Sequence, residues 1–160
     1  MSDPRQPTRR QATGFDLSQF IPYRLAVLAD EISQTIAQVY VDQFDLTRHE
    51  WRILAWLGKH RSMPAKDVGR NAGLDKMQMS RALARLEDKK LVAVERDEED
   101  RRGNVLGLTR QGRATYDRIA PLALAREEYL LSALTVEEVA ALDTIMAKLL
   151  RQASALNDKS

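Results

Sequence analysis

The sequence predicts a mainly α-helical chain that carries one small β-hairpin. Three observations lead there. Apolar residues recur at three- and four-residue spacing over most of the chain. Two short runs, VAVER (92–96) and VLGL (105–108), alternate as strands do. Helix start and stop residues punctuate the stretches between. With 160 residues, 44% hydrophobic and 30% charged, the chain suits one domain or two small intimate ones with a real core. It has no cysteine, which excludes disulfides, thiolate zinc sites and thiol redox chemistry. No signal-peptide pattern and no run of about eighteen apolar residues is found, so a cytoplasmic location without a membrane partner is expected.

Residues 1–15 hold Pro4, Pro7, Arg5, Arg9 and Arg10 and little apolar content, and read as a flexible basic arm. Pro22 suits a first helical turn. Leu25, Leu28, Ile32, Ile36, Val39 and Tyr40 then predict one long helix to about residue 43. TRHEWRILAWLG opens with a capping box, in which Thr47 accepts from the backbone of Glu50 and Glu50 reaches back. Leu46 and Trp51 are placed as its hydrophobic staple, and Gly58 as its stop. Pro64 marks the next start, and a short helix is expected to end at Gly73. Asp75 caps KMQMSRALARLEDKK, whose Met79, Ala82, Leu83 and Leu86 form one apolar stripe. The hairpin at 92–108 follows. Thr109 caps a helix to about Ser132, and TVEE (135–138) is a second capping box with Leu134 and Val139 as its staple. The last helix carries Val139, Leu142, Ile145, Met146, Leu149, Ala153 and Leu156, a stripe too apolar to leave in water.

The charge is unevenly spread. From Lys59 to Lys90 there are nine Lys or Arg against four acids; from Asp16 to Gly58 there are three Arg against six acids. A basic block between acidic or neutral flanks is a footprint for nucleic acid or a solvated helical surface. The order of elements favours the first. Helix, tight turn and helix are followed by a hairpin, and Gln78, Arg81 and Arg85 lie together on the second helix, off its apolar stripe. A helix-turn-helix needs that arrangement, because its second helix reads base edges.

With these residues the chain resembles the MarR family of bacterial transcriptional regulators over roughly residues 20–155. LTRHEWRILAWL looks like the first helix of the family's DNA-binding unit, and KMQMSRALARLEDKKLV like its recognition helix. DEEDRRGNVLGLTRQG resembles the family's D-x-x-D-x-R wing followed by L-T-x-x-G, with Asp97, Asp100, Arg102, Leu108, Thr109 and Gly112 in place. Two departures stand out. Lys90 occupies a position where the family often has Gly, and Gly69 one where a small Ala is usual. The resemblance implies a winged helix-turn-helix at 47–109 and a helical dimerisation region at 16–46 and 110–160. It further implies a homodimer on a pseudo-palindromic double-stranded DNA operator.

On that reading Gln78 pairs with adenine, and Arg81 and Arg85 with guanine or phosphate, Arg85 having Glu87 and Asp88 as rival partners. Lys76 and Ser80 at the helix start touch phosphate. Arg102 enters a narrow minor groove, Asp100 accepts from it and holds it outward, and Arg101 meets phosphate or solvent. Four contiguous acids at 97–100 lack the alternating oxygens and central Gly of a calcium loop, so no metal is expected. Regulators resembling this one often bind small aromatic acids, and Tyr23, Arg24, Tyr40, His49, Trp51 and Arg52 are candidates for such a pocket; core packing is the competing role for Tyr40 and Trp51. Two other functions stand as alternatives. One is a winged helix that binds another protein instead of DNA. The other is a small enzyme using His49 and Glu50 or the acidic tip, for which no nucleophile, metal spacing, phosphate loop or cofactor motif is found. A repressor relieved by a ligand is the expected function.

Overall fold

The computed structural model describes residues 14–96 and 103–157. The described residues divide into two compact units, one up to residue 35 and one from residue 36 on. In the first, Asp16 caps a single 3-10 turn at Leu17–Gln19, accepting from the Ser18 backbone N–H at 2.9 Å. Phe15 and Phe20 meet edge to face across that turn, with ring centroids 5.3 Å apart. Helix α1 (Ile21–Ala37) follows, and none of its residues is buried. The helix predicted to reach residue 43 in one piece is broken. Its continuation is a separate four-residue helix, α2 (Val41–Phe44), closed by Asp45 at φ 52. The break sits at Val39 and Tyr40, which are 7% and 1% exposed. Burying both in one core evidently outweighs continuing the helix.

The remaining elements of the second unit are α3 (Arg48–Lys59), β1 (Met63–Pro64), α4 (Ala65–Ala72), α5 (Lys76–Asp88), β2 (Val92–Arg96), β3 (Asn104–Leu108), α6 (Arg110–Leu131) and α7 (Val136–Asn157). The three strands form one antiparallel sheet in the order β1-β3-β2. Val92 pairs with Leu108 and Arg96 with Asn104. Strand β1 pairs Met63 with Leu106 and Pro64 with Val105, so Pro64, expected only to mark a helix start, also belongs to an edge strand.

Capping decides where these helices begin. Thr47 and Glu50 form the expected box, with N–H to oxygen distances of 3.2 Å both ways. Asp75 and Gln78 form another at 2.8 and 3.0 Å, and Thr135 and Glu138 a third. Gly73 ends α4 at φ 66, a left-handed position that suits glycine. Gly58, in contrast, does not end α3, which runs on to Lys59. Its missing side chain makes room for the Tyr116 ring of α6, which a Cβ there would strike.

The core gathers Val39, Tyr40, Leu46, Ile53, Leu54, Leu57, Val68, Ala82, Leu86, Leu91, Val92, Leu106 and Ile119. It thus joins α3, α4, α5, the sheet and the first half of α6. Each large apolar side chain fully removed from water here contributes about 1.5–3 kcal/mol. Of the expected staple, Leu46 belongs to this cluster and Trp51 packs against it. Helix α7 buries none of its residues. Among the described residues no helix is long and apolar enough to cross a membrane.

Candidate nucleic-acid interface

Helix α5 is held from three sides. Ala82 and Leu86 sink into the core at 3% and 0% exposure, with Met79 and Leu83 packed beside them. Its N-terminus is fixed by the Asp75 cap. Its C-terminus ends in a Schellman-type closure, where Leu91 N–H reaches the Leu86 carbonyl at 2.9 Å and Lys90 N–H the Glu87 carbonyl at 2.8 Å. Lys90 pays for that closure with a φ of 57, the conformation that makes Gly usual at such a position.

The face of α5 turned from the core lines an open cleft of about 640 Å³ with the N-terminal turn of α3. Gln78, Arg81 and Arg85 all border it, with Arg48 and His49 opposite. The structure therefore brings together the three side chains that helical spacing grouped. Arg81 is exposed, as are Ser80 and Lys76 at the start of the helix. Lys76 borders a second, shallower cleft with Lys66 and Arg70 of α4.

Two of the three are committed differently than expected. Gln78 uses its carbonyl oxygen to accept from the Asp75 backbone N–H. A bidentate pair with adenine needs that oxygen as well as the amide nitrogen, so base reading by Gln78 competes with the cap. Arg85 does not turn to Glu87 or Asp88. Its Nε donates to Oε1 of Glu50, 35 residues away on α3. Glu50 is fully buried, and its other oxygen accepts from Lys89 Nζ at 3.2 Å as well as from the Thr47 backbone. Lys89 also reaches the Asp45 carboxylate at 3.2 Å and the Asp45 carbonyl. The Glu50 hydrogen bond, and then its charge, push the Arg85 guanidinium further above its ordinary range, so it stays cationic. The sequence offered Glu50 only as a cap residue and in the enzyme alternative, and Lys89 only within the basic block, because no local period links residues 35 or 39 apart.

The wing behaves as its register predicts up to the edge of the described residues. Thr109 stitches it to the body: its hydroxyl donates to the Lys90 carbonyl at 2.7 Å and accepts from Gly112 N–H at 2.9 Å. A Cβ on Gly112 would be driven into the Leu91 carbonyl, which explains glycine in L-T-x-x-G. The tip residues Asp100, Arg101 and Arg102 lie outside the described residues.

The ligand candidates have different neighbours. Tyr40 stacks on Trp51 with ring centroids 5.7 Å apart, and Trp51 on Tyr116 at 6.1 Å, a core column that includes a residue the sequence did not suggest. Burial pushes the Tyr40 phenol up, against the opposing charges of Arg48 and Arg52. Arg52 donates to the Ala72 carbonyl at 3.3 Å and ties α3 to the end of α4. His49 borders the α5 cleft. Tyr23 and Arg24 are exposed on α1 in the first unit. An aromatic ring with an arginine does occur at another cleft, of about 440 Å³, where Arg126, Tyr129 and Leu122 of α6 are joined by Gln38, Val39 and Gln43.

This geometry has parallels. The family model for the MarR family matches residues 44–103, which contain α3 to β2 and the wing tip. The HTH-type transcriptional regulator FarR of Neisseria gonorrhoeae is 26% identical over 131 residues, covering 82% of this chain and 90% of that protein. Among solved structures, a MarR/EmrR family transcriptional regulator from Acinetobacter sp. ADP1 superposes with a TM-score of 0.80 at 26% identity, covering 88% of this chain and 99% of that one. The S. aureus MepR–DNA complex gives 0.76 at 25% identity, covering 83% and 98%.

Proposed function

We propose that the chain is a DNA-binding transcriptional regulator of the MarR family, which acts as a homodimeric repressor of a pseudo-palindromic operator and is released by a small ligand. The observation that carries the reading is α5. One face is locked into the core while the other presents Arg81 and its neighbours in an open cleft. That is the division of labour a recognition helix requires. The MepR complex with DNA supports the same use of the fold.

Dimerisation is supported by apolar surface that the described residues leave open. On α7, Ile145, Met146 and Leu149 are 53%, 50% and 47% exposed, and Leu150 is 70% exposed. Contiguous apolar surface of this kind on a small protein calls for a partner. Two protomers would set two copies of α5 against two half-sites.

Ligand release follows if the ligand binds more tightly to a dimer whose recognition helices are wrongly spaced for the operator. The Arg126–Tyr129 cleft has the chemistry for a small aromatic anion. The test is a gel shift on the DNA upstream of the chain's own gene, repeated with aromatic acids and their thioesters. A retarded band that one of these compounds dissolves supports the reading. Absence of salt-sensitive binding to that DNA refutes it, and binding that no compound alters refutes the ligand switch.

A further inference from the structure

We propose that Glu50 is a positioning residue for DNA binding, which grips one edge of Arg85 from inside the protein and aims the rest of the guanidinium at the DNA backbone. The inference rests on the reading of α5 as the recognition helix. It starts from an asymmetry within one ion pair. The Glu50 side chain is fully buried, whereas that of Arg85 is 52% exposed. Glu50 therefore cannot meet DNA itself, and Arg85 can.

The atoms used decide the direction. A guanidinium is a rigid planar fork, and Glu50 engages it through Nε. Fixing Nε fixes the plane and leaves the two terminal nitrogens unengaged by Glu50, on a side chain that is half exposed. A side chain held this way loses less rotamer entropy when it meets an anion, which is the usual gain from preorganisation. Arg85 borders the same cleft as Gln78 and Arg81, one helical turn beyond Arg81, so its free end lies on the face that meets the nucleic acid.

Exposure supports presentation over sequestration. Glu50 answers to two cations, Arg85 and Lys89, besides the Thr47 N–H. Lys89 is only 23% exposed and is shared with Asp45, so the cluster balances two cations against two carboxylates. Of the two cations Arg85 is the more exposed, and it is the one that borders the cleft. A phosphate is the fitting ligand, since it accepts from a forked donor and carries no base information.

The test is operator binding by anisotropy over a series of salt concentrations, with wild type, Arg85→Ala, Arg85→Lys, Glu50→Gln, the Glu50→Gln/Arg85→Ala pair and Arg81→Ala. Glutamine can still fill the helix cap, so Glu50→Gln removes the charged grip on Arg85 and leaves Lys89 to Asp45. Arg85→Ala is expected to weaken binding roughly tenfold and to lower the salt slope by about one for each bound protomer. Glu50→Gln alone should weaken binding to a similar degree, and the pair should be no weaker than Arg85→Ala by more than about twofold, the signature of residues acting through one another. Arg85→Lys keeps the charge but not the aimed fork; it should recover the salt slope and not the affinity. That comparison carries the test if Glu50→Gln fails to fold.

Wild-type binding by Arg85→Ala, while Arg81→Ala is weakened, would overturn the proposal and leave the pair as a tie between α3 and α5. Full rescue by lysine, or strictly additive losses in the pair, would overturn it too. Unchanged binding by Arg81→Ala and Arg85→Ala together would instead remove the recognition-helix reading on which it rests.

Discussion

The layer formed by α3, α4 and α5 and the long helix α7 use the same kind of sequence in opposite ways. Both have apolar residues at helical spacing. In the first layer Ile53, Leu54, Leu57, Val68 and Leu86 are at 0% exposure, and the polar groups among them are capped or paired. On α7 the same kind of stripe stays in solvent, with no residue buried. Periodicity thus tells which face of a helix is apolar, but not whose surface will cover it. The layer is completed within the chain; on the proposed function α7 is completed by a second copy.

The largest effect is expected from a charge on the open stripe. Ile145→Asp should turn a dimer into a monomer by light scattering at micromolar concentration, because an unpaired carboxylate cannot be buried cheaply. Operator affinity should then fall about a hundredfold or more as two half-sites cease to be bound together. A variant that still dimerises would show that α7 is not the covered face, and the contrast between the regions would collapse.

Within the layer, Gly112→Ala should destabilise by about 1–3 kcal/mol in urea unfolding, since the added methyl meets backbone at Leu91 and cannot be eased by a rotamer change. An unchanged midpoint would mean that the junction of wing and body is looser than its hydrogen bonds suggest. Lys90→Gly should stabilise by about 1 kcal/mol through relief of its left-handed φ of 57. A loss of stability there would point to a role for the Lys90 side chain instead. The smallest effect belongs to Gly69→Ala on α4. The new methyl would rest against Met79 at ordinary distances of 3.5–3.9 Å, so the gain in helix propensity, roughly 0.5 kcal/mol, should appear as a slightly raised melting temperature.

What could be read from the sequence follows the range of the interactions. Caps act over three residues, so Thr47, Asp75, Thr109 and Thr135 marked the helix starts correctly. The hairpin register was equally local. Three features were not legible because each depends on something far along the chain. Gly58 looked like a stop, and its reason is Tyr116 on α6. The helix break near Tyr40 answers to a core built mainly from later residues. The partner of Arg85 was sought among neighbours at Glu87 and Asp88 and lies at Glu50, across a helix-helix contact. The face of α5 was legible as a group, whereas the commitments of Gln78 and Arg85 were not. Periodicity places side chains on a face without saying which of their atoms are already engaged.

The central claim is that the outward face of α5 reads DNA, and Arg81 is its most direct probe, being exposed and on the cleft. Operator affinity of Arg81→Ala should be measured by anisotropy beside wild type, with equal melting temperatures as the control for folding. A loss of about 1–3 kcal/mol in binding is the predicted result. An affinity equal to wild type, with the fold intact, would contradict the claim.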